Sequence, residues 1–162
     1  MARIITKGLI AQEDINFGNG TFSRSTSTGG TQTLHQVSGW ANQAAAADKT
    51  AQGANIGTTN LIASASVGLY LISGLAIVTR AATSSSTLPE IVINWTDADS
   101  SQAMSFILTP EDSLNTLTAT ESGLLLINAK ASTAITYSTQ GYASSGATSM
   151  QYSVHIRVQG PQ

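Results

Sequence analysis

Chemistry in this chain would have to start from very few groups. There are two histidines, His35 and His155, and no cysteine. Thiol nucleophiles, disulfides and zinc–thiolate sites are therefore excluded. His155 stands on the polar side of an alternating segment, two residues before Arg157, which fits an exposed strand residue, a subunit contact or a general base. His35 lies in the predicted hairpin, and nothing pairs it with a nucleophile. A Ser-His-Asp triad needs three groups brought together in space, and no G-x-S-x-G elbow marks one of the many serines.

Two acidic pairs remain. Asp97 and Asp99, in TDADSS, start like a calcium loop, but the sixth position is Gln102 instead of glycine and the twelfth is Leu108 instead of glutamate. The pattern reads as Asx turns closing a loop. Glu111 and Asp112 follow Pro110 as an ordinary turn, and nothing links them to the first pair as glycosidase carboxylates would be linked. Asn19-Gly20-Thr21 and Asn94-Trp95-Thr96 match the glycosylation pattern, as expected by chance in a Thr-rich chain without a secretory leader. FGNGTF lacks the third glycine and the following helix of a dinucleotide loop. The expectation is a chain that is not an enzyme, with no catalytic, cofactor or metal-binding residues.

Composition supports the same direction. The 162 residues carry a formal charge of −2, and only 10% are charged. Nucleic-acid binding needs a basic footprint, and a membrane-surface helix needs a Lys-rich face, so neither partner is expected. No apolar run approaches the length of a membrane helix. MARIITKGLI has too short an apolar stretch for a signal peptide, which places synthesis in the cytosol. With 41% hydrophobic residues the chain is not of disordered composition. Ser and Thr supply about a quarter of it, well above ordinary usage.

Three zones follow from pattern. Met1 to Val37 reads as an extended arm whose apolar residues Ile4, Ile5, Leu9, Ile15, Phe17 and Phe22 are too sparse for a core and are expected to bind a partner. Within it, Thr21 to Arg24 and Thr31 to Leu34 flank a Ser/Thr/Gly turn and predict a β-hairpin that needs something to dock on. Ser38 to Gly57 holds the only alanine run, Ala44 to Ala47, and predicts a connector with one or two helical turns, with Trp40 as an anchor. Thr58 to Val158 predicts an antiparallel β-sandwich, and residues 58–162 form the domain. LYLISGLAIVT is apolar on both faces except at Ser73, as in a central strand covered on both sides. EIVINWT, AMSFILT, LLLINAKA and TAITYST are further strands. MQYSVHIRV alternates most cleanly: Met150, Tyr152, Val154, Ile156 and Val158 face in, while Gln151, Ser153, His155, Arg157 and Gln159 face out. Six to eight such strands without a crossover helix indicate a sandwich or jelly roll.

Some of these segments resemble a β-domain recurrent in structural proteins of tailed phages. The elements are Gly68 to Tyr70 opening a strand, Trp95 to Asp97 closing another, and Ile135 to Tyr152. The start TKGLIAQEDINFGNGTFSR is similar to the beginning of phage virion proteins. The resemblance implies a jelly-roll sandwich, commonly trimeric, that decorates a capsid or heads a fibre. A fibre shaft would need a coiled coil or repeat, and none precedes the domain, so the expectation is a capsid cement protein. It would sit on the virion exterior, with the major capsid protein and further copies of itself as partners. The alternative is a receptor- or glycan-binding head domain of a head or tail fibre, using the polar loops Ala81 to Leu88 and Gln140 to Ser149 with Tyr142.

Overall fold

In the computed structural model the described residues are 23–25, 31–33 and 43–162, and all regular structure among them is β-strand. The chain divides into two units, residues 1–37 and 38–162. In the first, β1 (Ser23–Ser25) pairs antiparallel with β2 (Thr31–Thr33), while the residues that would turn between them lie outside the described residues. The proposed attachment residues Ile4, Ile5, Leu9, Ile15, Phe17 and Phe22 lie outside the described residues, as do His35 and Trp40.

The second unit is a sandwich of two four-stranded antiparallel sheets. One has the order β3 (Gln43–Gln52), β12 (Gln151–Gln159), β5 (Gly68–Arg80), β9 (Thr120–Ala129). The other has the order β4 (Thr59–Ile62), β10 (Ile135–Gln140), β7 (Glu90–Thr96), β8 (Ala103–Thr109). First and last strands are neighbours, and the chain passes repeatedly between the sheets. This is the eight-strand order of a jelly roll. A two-stranded ribbon, β6 (Ser85–Thr87) with β11 (Ala143–Ser145), joins two of its loops.

Period-2 patterning decides which residues meet between the sheets. Met150, Tyr152, Val154, Ile156 and Val158 are all fully buried, as the alternation predicts. Tyr70, Ile72, Ala76 and Val78 of β5 join them, and Ile91, Ile93, Leu108, Ile135 and Tyr137 face them from the other sheet. One buried polar chain ties this core to the loop before β4. The Ile56 amide donates to Thr139 Oγ1 at 2.7 Å, Thr139 donates to the Tyr152 oxygen at 2.8 Å, and Tyr152 donates to the Ala54 carbonyl at 2.8 Å. Every member of this chain is satisfied, as most buried polar groups are.

The alanine run departs from expectation. Residues 43–52 form an edge strand of the sandwich instead of a connector with helical turns, so the sandwich begins before Thr58. Alanine's helix preference amounts to about 1 kcal/mol or less per residue, and a segment this short cannot hold a helix alone. Pairing with β12 supplies a ladder from Gln43↔Gln159 to Gln52↔Tyr152 and packs Ala45 and Ala47 against the core. A bulge near Ala51, with φ 54°, fits one extra residue of β3 against β12.

Candidate interaction surface

The straightening of β3 creates a charged cluster that sequence reading missed. Asp48 lies opposite His155, and Arg157 is the next outward residue of β12. Asp48 Oδ1 stands 2.6 Å from His155 Nδ1 and accepts a hydrogen bond from Arg157 Nη1 at 2.9 Å. The Arg157 bond, with that of His155, holds the Asp48 carboxyl below its ordinary value. An Asp–His pair is also part of a general-base arrangement, but among the described residues no serine or threonine hydroxyl hydrogen-bonds to His155. The side chains of Asp48 and His155 are 47% and 38% exposed, which leaves a solvent-screened cross-strand contact of small energetic weight.

The sign of its pH dependence follows from the lowered value. A depressed carboxyl contributes stability above its unfolded value of 3.8 and loses it as pH falls through the folded value. Asp48→Asn is expected to lower the melting temperature slightly at pH 7, and the difference should shrink as pH falls below 3.8 and through the lowered folded value. Thermal melts of both chains across that range check this.

Asp97, Asp99 and Asp112 take up structural positions. Asp97 Oδ1 accepts from the Ser100 amide and hydroxyl, each at 2.8 Å, and these bonds lower its carboxyl. Asp99 accepts from Asn128 Nδ2 at 3.1 Å. This is the loop-closing arrangement expected for TDADSS. Asp112 bridges to Leu88 through both backbone groups. Asn94, of the glycosylation match, lies mid-strand between Thr136 and Ser105. Among the described residues no three His, Asp or Glu side chains gather as a metal site would require.

The two polar loops meet. The ribbon β6–β11 joins Ala81 to Leu88 with Gln140 to Ser149, and a hollow of about 310 Å³ opens beside it, lined by Ser84, Ser86, Thr87, Ser113, Asn115 and Ser144 among others. Asn115 braces its wall. Its Oδ1 accepts from the Ala82 amide and the Ser86 hydroxyl at 2.7 Å each, and its Nδ2 donates to the Ala82 carbonyl. Tyr142, expected at this surface, is turned to the chain itself: its hydroxyl donates to the Met150 carbonyl at 2.8 Å, and its ring lies 5.8 Å from that of Tyr152.

No family model, curated protein or solved structure matches this chain. The surface therefore has to be read from its own chemistry.

Its most distinctive feature is apolar. On the outward side of β5, Leu69, Leu71, Leu75 and Ile77 follow one another with a single break at Ser73, and β9 adds Leu124 and Leu126 in register beside them. Leu124 is 65% exposed and Leu126 53%. Met104, Phe106 and Ile107 are exposed on β8, the edge strand of the other sheet. The apolar character of both faces of β5 was legible in the sequence. The continuation onto β9 depends on pairing across more than forty residues and was not.

Proposed function

We propose that this chain is a non-enzymatic structural subunit of a tailed-phage particle, a cement protein that binds the major capsid protein and reinforces the shell from outside. The observation that carries the reading is the leucine face of β5 and β9. A contiguous apolar patch on a charge-poor domain marks a surface meant to be covered by protein. The phage assignment rests on the sequence resemblance, whose elements fall at structurally coherent places. Gly68 to Tyr70 open β5, Trp95 and Thr96 end β7 with Asp97 capping the next turn, and Ile135 to Tyr152 run from β10 through β11 into β12. The implied jelly roll agrees with the strand order. On this reading the subunit is made in the host cytosol, attaches through its N-terminal arm, and forms a closed homo-oligomer, a trimer.

The hydroxyl-lined hollow beside β6 and β11 favours a second reading, a receptor- or glycan-binding head of a fibre, because its groups suit sugar hydroxyls. Copy number separates the two. Quantitative mass spectrometry of purified particles is expected to find this chain in near-stoichiometric ratio to the major shell protein. A few copies per particle would favour the fibre head, and absence from particles would defeat both.

A further inference from the structure

We infer that the free edge of β8 accepts an extended strand from another protein, laid antiparallel along Ala103 to Ile107 and basic at its N-terminal end. The inference goes beyond the cement reading and does not rest on it.

A comparison of the sheet edges carries it. Among the described residues, the two four-stranded sheets end in β3, β9, β4 and β8. An unpaired edge is a template for another chain, and proteins blunt such edges with charge, shortness or bulges. β3 carries Asp48 and Lys49 and is bulged against β12, β9 carries Glu121, and β4 has only four residues. β8 has seven residues, AMSFILT, and no charge. Its one irregularity is at Leu108, which is left over where the register with β7 shifts. Ala103 to Ile107 therefore remain as a regular template, about 17 Å long at about 3.4 Å per residue. Among the described residues, no backbone hydrogen bond outside the β7 ladder engages any of them. Main-chain bonds to such an edge are what give strand addition its affinity.

Side chains and charge specify the occupant. Met104 and Phe106 stand opposite Trp95 and Ile93, on the core side of the sheet, yet they are 41% and 45% exposed because β8 ends the sheet. An added strand would cover both with its own alternate residues, which must be apolar. Ala103 and Ser105 on the other side ask only for small or polar neighbours. Beyond the C-terminal end of β8, Glu111 and Asp112 follow Pro110 and are exposed. At the opposite end Asp97 and Asp99 are partly offset by Lys130, whose Nζ donates to Ser101 Oγ at 3.0 Å. Excess negative charge thus lies at the Glu111 end. In antiparallel pairing, the more stable of the two arrangements, that end receives the N-terminus of the incoming strand. Basic residues there would fix its direction.

The probe is a synthetic peptide of about nine residues, two lysines and a serine followed by alternating valine and threonine. Titrated into the full chain, it is expected to bind saturably and to shift the amide NMR signals of Ala103 to Ile107. N-methylating alternate amides along one edge of the peptide should weaken binding by about tenfold or more, and along the other edge should leave it unchanged, because only one edge meets β8. Moving the lysines to the C-terminal end should also weaken binding severalfold. Ile107 is 50% exposed, so Ile107→Lys is expected to keep the wild-type melt while its charge blocks the edge and weakens binding by about tenfold or more. If that variant does not fold, the pair of N-methylated peptides decides alone. Absence of binding would overturn the proposal, whatever then covers the edge. Signal shifts centred on the leucines of β9 or on the hollow beside β6 would overturn it too. So would equal weakening by N-methyl groups on either edge, or equal binding of the two lysine placements.

Discussion

Ile156→Asp is expected to unfold the sandwich. Ile156 is fully buried in the middle of β12, between Ala47 of β3 and Gly74 of β5. None of these neighbours offers a hydrogen bond or a positive charge. An aspartate there would either remain ionised in an apolar layer or take up a proton and keep an unsatisfied carboxyl, and both are costly. Loss of the isoleucine's own burial adds about 1.5–3 kcal/mol. The sum exceeds about 4–5 kcal/mol, the range in which single substitutions become exceptional. It approaches the whole stability of a domain this size, about 5–15 kcal/mol. Ile156→Val at the same place should cost only about 0.5–1.5 kcal/mol. Urea unfolding followed by circular dichroism distinguishes the two. A cooperative transition at the wild-type midpoint for Ile156→Asp would mean that β12 presents its other face to the core.

That face was readable because β12 alternates without interruption, and a slip of one residue would bury Gln151 and Arg157 in place of Tyr152 and Ile156. Strand β10 was legible for the same reason, with Ile135 and Tyr137 at a period of two, whereas β5, β7, β8 and β9 were legible as apolar runs between polar loops. Ser153 was expected outside and lies on the outward side, yet it is only 3% exposed, because it pairs beside Ile77. Strand β3 was not legible. Its inward side chains are alanines, whose local preference is helical, and its partner β12 lies about a hundred residues further along the chain. The Asp48–His155–Arg157 contact was lost with it, since its groups are 107 and 109 residues apart. The ribbon β6–β11 was read as two loops because Ser85-Ser86-Thr87 and Ala143-Ser144-Ser145 have no apolar period. What remained local in the sequence was therefore visible, and what depended on pairing between distant strands was not. The leucine face falls between these cases: half of it is one strand's alternation, and half is the register of β5 on β9.

That register also sets a tight point of the sandwich, and Gly123→Ala should break it. Gly123 and Gly74 are paired across β9 and β5, and Leu108 of β8 lies over both. Neither glycine has a positive φ, so the need is for space and not for an unusual backbone. The two differ in what an added methyl group would meet. At Gly74 it would meet Leu108 Cδ2 at 2.5 Å, the mobile end of a side chain. At Gly123 it would meet the backbone carbonyl oxygen of Leu108, far inside van der Waals contact. A rotamer change can relieve the first clash, but only movement of β8 can relieve the second. Moving β8 would withdraw Leu108, only 5% exposed, from the core and part the two edge strands. Overpacking typically costs about 1–3 kcal/mol when side chains can adjust. Gly74→Ala is expected in that range, and Gly123→Ala above about 3 kcal/mol. The sign makes the test sharp, because alanine in an unobstructed strand would be better than glycine by about 0.5–1 kcal/mol. Equilibrium melts of the two variants should rank Gly123→Ala well below Gly74→Ala, with both below wild type. A Gly123→Ala protein as stable as wild type would show that β8 does not close over β9.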